Sequence, residues 1–271
     1  MTNPFTKLLT AVLLLAVAST ASAQAPAPPA AYQGPRYPGG PDSLRAFVYR
    51  STRLLMPAPA GRMLAKFELQ PDGQPHRFSV VRPPAPLNKS LIKVAASVLP
   101  DLEARMPAWQ LGTPAPKAAP GTAPKVTLLL DFSTPQAAQP YSYADQMPQF
   151  DPAMSVWLAK RLAYIDRKLE NPAQAAAFAS SPQGLASYIQ MQVRYPAEAL
   201  RADQQGEVNA YFEVAENGAI ENAQILGTAG QALDAEVLRV VQRLPAATAP
   251  ALLRGKPARV YYVLPVTFKI Q

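Results

Sequence analysis

The chain reads as an α+β protein of two similar modules, each a β-hairpin, a helix and a closing strand, joined by a helical insertion. Three observations predict this. Residues 61–81 (GRMLAKFELQPDGQPHRFSVV) align without a gap on residues 206–226 (GEVNAYFEVAENGAIENAQIL), matching at Gly61/Gly206, Ala65/Ala210, Phe67/Phe212, Glu68/Glu213 and Gly73/Gly218. Apolar residues alternate on each side of a turn signal, Asp72-Gly73 or Asn217-Gly218, the positive-φ pair that tight hairpins use. An apolar helical stripe follows each hairpin.

The elements follow in order. Residues 1–23 are expected to be a cleavable export signal: Lys7, an apolar run from Leu8 to Ala18, and Ala21-Ser22-Ala23 before the cut. The run is shorter than the roughly 20 residues that span a bilayer. Residues 24–43 form a Pro/Ala/Gly-rich leader, expected to be disordered. Extended, about 20 residues at roughly 3 Å each reach about 60 Å.

The first module covers 44–132. Met63, Ala65, Phe67 and Leu69 alternate toward one face of its first strand. Leu91, Ala95, Val98 and Leu102 form the helical stripe, with Asn88 as the N-cap. Pro100 predicts a kink or break. Val126 to Phe132 is the closing strand.

Residues 133–183 are a loose stretch followed by an inserted helix, whose Leu158, Leu162, Ile165 and Leu169 share a face. The second module covers 184–271. A helix with Leu185, Tyr188, Ile189 and Val193 buried leads into Tyr195-Pro196, where proline opens a further short helix. Val208, Ala210, Phe212 and Val214 alternate in the hairpin. Leu233, Val237, Val240, Val241 and Leu244 make the next stripe, and Val260 to Ile270 closes the chain. Arg105-Met106-Pro107-Ala108 matches Arg243-Leu244-Pro245-Ala246, so the copies agree after their helices as well. The first copy lacks room for the short helix and is the degenerate one.

Composition excludes much. With no cysteine and a single histidine, His76, the usual catalytic triads and zinc sites cannot be assembled. No nucleophile elbow, phosphate loop or calcium loop is present. Glu68 and Glu213 occupy matching strand positions opposite the phenylalanines and are expected to face water. We expect no enzyme activity, no cofactor and no metal. Residues 24–140 carry a net charge of +7, against zero for 141–271, so anionic envelope polymers are an alternative ligand for the basic half.

Binding remains. A terminal strand at a sheet edge offers unpaired backbone groups to an extended peptide, and Pro265 suits an edge.

The motifs Tyr195-Pro196, Gly206-x-Val208, Phe212-x-Val214, Asn217-Gly218, Leu233-Asp234-x-Glu236-Val237-Leu238-Arg239-Val240-Val241, Gly255-Lys256-Pro257 and Leu264-Pro265-x-x-Phe268 resemble the TonB C-terminal domain family. Tyr143 to Phe150 resembles the segment that precedes this domain in Bacteroidetes-like transducers. The resemblance implies a periplasmic protein that grips the N-terminal, TonB box-like segment of an outer-membrane transporter by strand addition. It also implies inner-membrane motor proteins that supply the work. Carried onto this sequence, the partner-binding residues are Val260, Tyr262, Leu264 and Val266. A structural envelope module or a homodimer formed through the edges is the alternative.

Overall fold

The computed structural model describes residues 31–54, 59–112, 123–151, 153, 154, 157 and 182–270. The expected export signal and almost all of the inserted helix lie outside the described residues.

The chain begins its regular structure with a helix, α1 (Gly40–Arg53), that the sequence reading did not anticipate. Its signal was present: Leu44, Phe47, Val48 and Ser51 follow helical spacing and are buried, Pro41 opens the first turn, and Asp42 lies there too. Next come β1 (Arg62–Leu69), β2 (Pro75–Val80), α2 (Lys89–Arg105) and β3 (Lys125–Asp131). Asn88 caps α2 by accepting the Leu91 N–H at 2.9 Å. The helix runs on through Pro100 to Arg105, so the break expected there does not occur.

The C-terminal part comprises α3 (Pro182–Gln192), α4 (Ala197–Arg201), β4 (Gly206–Val214), β5 (Ile220–Gly227), α5 (Gln231–Val241), a small hairpin of β6 (Ala251–Leu253) and β7 (Lys256–Ala258), and β8 (Val260–Phe268).

Two antiparallel three-stranded sheets result, ordered β2-β1-β3 and β5-β4-β8. They correspond in detail. Each central strand carries an irregularity at a matching place, between Lys66 and Glu68 and between Tyr211 and Glu213. Arg77 and Asn222, also matching, both have positive φ. In the turns, the Asp72 and Asn217 carboxyl and amide oxygens each accept the N–H two residues on, at 2.9 Å.

Glycine is required at both turns. Gly73 and Gly218 have φ of 85°, and a Cβ there would stand 2.0 Å from the Trp109 carbonyl oxygen or 2.5 Å from that of Ala247. The close approach is itself a bond: Trp109 N–H donates to Gly73 O at 2.9 Å and Ala247 N–H to Gly218 O at 2.8 Å.

One face of each sheet packs against helices. Met63, Ala65, Phe67 and Leu69, and Val208, Ala210, Phe212 and Val214, enter the large core there. The opposite faces meet each other. Leu64 of β1, Leu129 of β3, Tyr211 of β4, Leu226 of β5 and Tyr261 of β8 form a second cluster, flanked by Val81 and Val263.

Charge accompanies this apolar seam. Arg62 contacts Asp131 Oδ2 at 2.8 Å and Glu213 Oε1 at 3.2 Å, and Arg259 contacts Glu213 Oε2 at 3.0 Å. The Tyr211 hydroxyl donates to Glu213 Oε1 at 2.6 Å. Glu213 is therefore buried between the sheets rather than facing water as its alternation suggested. Glu68 does stay near the surface, beside Arg77 at 3.1 Å.

Two stretches read as loose are packed. Tyr32 stacks on Tyr143 at 4.7 Å, Tyr37 meets the edge of Trp109 at 5.5 Å, and Arg36 exchanges backbone bonds with Gln110. Residues 141–149 form a strap whose Tyr141, Gln146 and Gln149 make single bridges to Val260, Leu252 and Ala249, with Tyr143, Met147 and Phe150 buried. Large aromatic side chains anchor both segments, and the proline content gave no hint of it.

Candidate functional site: the outer edge of the closing strand

Among the strands of the described residues β8 pairs with β4 alone, along a register that runs from Val260 opposite Val214 to Phe268 opposite Gly206. It is an edge strand, the placement to which proline at 265 is suited.

Strand geometry then divides its residues twice. Side chains alternate across the sheet, and backbone N–H and C=O groups alternate between the two neighbours. Val260, Tyr262, Leu264 and Val266 are at most 2% exposed, with their side chains in the core beneath the helices. Tyr262 stacks on Phe212 at 5.3 Å and meets Phe150 edge-on at 6.3 Å. These four residues, expected to contact a partner, have no side chain to offer one.

The backbone parity is equally definite. The Tyr261 N–H donates outward to Tyr141 O at 2.9 Å, and the Thr267 N–H donates outward to the Gln190 side chain. The odd-numbered residues 261, 263, 265 and 267 therefore present their backbone away from β4, and the even-numbered ones pair with it. The N–H of Tyr262 is directed at β4. A partner strand would meet Tyr261, Val263, Pro265 and Thr267.

The edge is bounded at both ends. At its start, Tyr141 makes a parallel bridge, donating to Arg259 O and accepting from Tyr261 N, both at 2.9 Å. At its end, Gln190 of α3 holds Thr267. Between them lie the Tyr261 carbonyl, the Val263 N–H and C=O, and the Pro265 carbonyl, which take no partner among the described residues. Val263 is half-buried by the seam between the sheets, and Pro265 and Thr267 are exposed.

Burial and charge shape the surroundings. Burial opposes ionisation of Glu213, yet hydrogen bonds from Tyr211, Asn222 and Arg259 and the charge of Arg62 outweigh it and hold the carboxyl below its usual range. Asp131 behaves alike: burial is overcome by the N–H groups of Thr134 and Ser133 and by Arg62. Burial pushes the Tyr261 hydroxyl up to about 12. Its oxygen accepts the outward N–H of Leu129 at 3.2 Å, joining the two closing strands.

A groove of about 850 Å³ lies beside this network, lined by Arg45, Arg62, Arg254 and Arg259 among others. These arginines already face Asp42, Asp131, Glu213 and Glu221. The charge of these four arginines is therefore largely matched within the protein. Among the described residues there is no cluster of three or more metal-ligating side chains, and no helix long and apolar enough to cross a membrane.

Residues 191–270 match the family model of the Gram-negative bacterial TonB protein C-terminal. Those residues are a TonB C-terminal domain. The match runs from the last turn of α3 to just beyond β8, so it takes in the whole β5-β4-β8 sheet and its edge. Neither curated proteins nor solved structures give a significant match. Within the TonB C-terminal domain, the sequence motifs fall at working positions. Tyr195 packs edge-on against Phe268 at 5.3 Å, and Gly255 forms the β6–β7 turn with Arg254. Asp234 receives the Thr228 hydroxyl at the start of α5.

Sequence reasoning missed Gln190, Tyr141 and the parity of β8. Only the last had a local signal: Pro265 lacks an N–H, so its backbone nitrogen is best tolerated facing away from β4, which fixes every other residue.

Proposed function

We propose that this protein is an exported TonB-like protein whose C-terminal domain binds the extended N-terminal segment of an outer-membrane transporter by strand addition, in support of energy-coupled transport. The observation that carries the reading is the position of β8: an edge strand of the matched domain with outward backbone groups at 261, 263, 265 and 267. Main-chain pairing supplies affinity in this mode, and the partner's alternate side chains meet the surface beside Val263 and Thr267. The periplasm is the compartment for this role. Intact-mass measurement of the exported protein tests it: a chain beginning at Gln24 is expected, and one retaining Met1 in the inner membrane points to an anchored transducer coupled to a motor.

The binding test follows from the parity. Proline at 263 removes an outward donor and leaves the β4 ladder whole, whereas proline at 262 would break the protein's own sheet. The full chain is titrated with synthetic peptides covering the N-terminal segments of the outer-membrane transporters of the same genome. Val263→Pro, shown folded by circular dichroism, is expected to bind at least fivefold more weakly. Equal affinity, together with no change in Val263 amide exchange when peptide is added to the parent, refutes the site.

A second reading is favoured by the seam between the sheets. The first unit shares strand order, turn chemistry and helix placement with the TonB domain, and we read it as a degenerate second copy retained as a packing partner. In that role it braces the sheet that carries the edge, and contacts no transporter itself.

A further inference from the structure

The end of the β8 edge is closed in a particular way. Gln190 Nε2 donates to Thr267 O at 2.9 Å, and Thr267 N–H donates to Gln190 Oε1 at 2.8 Å. An added antiparallel strand would make this same two-bond exchange with Thr267 through one of its residues. A side-chain amide carries a donor and an acceptor side by side, as a peptide group does, and can stand in for it.

The first unit closes its edge at the matching position. Arg62 pairs with Asp131 as Glu207 pairs with Thr267, and Arg62 and Glu207 are equivalent in the aligned hairpins. The outward carbonyl of Asp131 accepts from Arg53 of α1 at 3.4 Å and from Gln139 at 3.4 Å. In both units a helix earlier in the chain than the hairpin sends a side chain over the closing strand, α1 directly before β1 and α3 with α4 between it and β4. The chemistry differs: Arg53 only donates, whereas Gln190 both donates and accepts.

We propose that Gln190 is a competitive plug, occupying the place of an incoming strand's peptide group, so that an extended segment pairs along the whole edge only when Gln190 turns aside. The proposal rests on the strand-addition reading above. The helix itself stays in place, because Leu185 and Ile189 are fully buried. Gln190 is exposed and can turn about its own side-chain bonds, giving up its two hydrogen bonds to Thr267. With Gln190 in place, Val263 alone offers both a donor and an acceptor. With it turned, Thr267 adds a second such pair, and the open stretch from 261 to 267 extends about 20 Å. Gln190 lies one residue before the span matched to the TonB family.

The test uses the full chain, with Gln190→Ala against the parent and with Gln192→Ala, exposed on the same helix, as the control. Amide exchange is read first, without ligand. The Thr267 N–H is expected to exchange at least tenfold faster in Gln190→Ala and to be unchanged in the control; unchanged exchange in Gln190→Ala overturns the proposal. The same proteins are then titrated with the transporter N-terminal peptides. Removing a competitor that holds two hydrogen bonds is expected to tighten binding roughly tenfold. Equal affinity of parent and Gln190→Ala overturns the plug and leaves strand addition standing. Binding by neither protein overturns strand addition and the plug together.

Discussion

Replacing Arg62 with methionine tests whether the two units are held together by their buried charges. Arg62 sits on β1, yet it bridges Asp131 of β3 and Glu213 of β4, at 2.8 and 3.2 Å. The two carboxylate side chains are 2% and 3% exposed, and the arginine 22%. Removing one partner of a buried pair costs about 3–5 kcal/mol. Three features reduce this here. Asp131 keeps the N–H groups of Ser133 and Thr134 at 2.8 Å, Glu213 keeps Tyr211 and Arg259, and methionine retains most of the arginine's apolar stem, losing only the guanidinium that lies over the Tyr211 ring. The expected loss is about 2–3 kcal/mol. For a chain of this size, 1 kcal/mol moves the melting temperature by about 2–4 °C, so Arg62→Met should melt about 5–10 °C lower. Scanning calorimetry of the parent and variant reads the shift. A double-mutant cycle with Glu213→Gln should return a coupling of at least about 1 kcal/mol, since the residues touch. A melt within about 1 °C of the parent, or a cycle without coupling, refutes the bridge as a contributor to stability.

Other predictions follow from single contacts. Gly218→Ala should cost about 2–3 kcal/mol in urea unfolding, since a Cβ meets a backbone oxygen at 2.5 Å and the left-handed conformation adds about 1–2 kcal/mol; a loss below about 0.5 kcal/mol contradicts the turn geometry. Tyr261→Phe leaves the Leu129 N–H without its acceptor and should cost about 1–3 kcal/mol, with faster exchange at Leu129 as the specific sign. The acid limb should be governed by Glu213 and Asp131. Their folded pKa values are depressed, so their contribution is present above the ordinary carboxylate range, near about 4, and is lost as pH falls through the depressed values. Asp234, raised by burial, acts in the opposite sense, contributing at low pH and losing that contribution as pH rises through its folded value. Urea unfolding from pH 7 to pH 3 should show a net decline that Glu213→Gln and Asp131→Asn together flatten.

The hairpins were legible because two local rules coincided there: alternation toward the helix side, and a turn pair that demands positive φ. The apolar helical stripes were legible for the same reason. The other face of β4 was not. Asn209, Tyr211 and Glu213 look like a solvated face, and β4 is in fact buried on both sides from Val208 to Val214. A second sheet covers it, and nothing within nine residues can announce that. The carboxylate is kept by Arg62, 151 positions away. The last strand does lie at a sheet edge, as its sequence suggested, but the residues singled out on it face the core, because apolar side chains mark burial and backbone parity leaves no mark on composition. The proline-rich N-terminal stretch misled in the other direction: Tyr32 and Tyr37 fix residues 31–37 through contacts with segments that lie far along the chain.

The seam between the sheets also decides how this protein can be cut. A fragment spanning 141–270 keeps every element of the matched domain. It would still lay bare Tyr211, Leu226, Tyr261 and Val263 on one flat surface, with Glu213 in their midst deprived of Arg62. Such a surface recruits whatever apolar face is nearest, and in a pure sample that is another copy of itself. Dimers seen with the excised domain would then be scars of the excision, and their disappearance on adding back the N-terminal unit would reveal them as such.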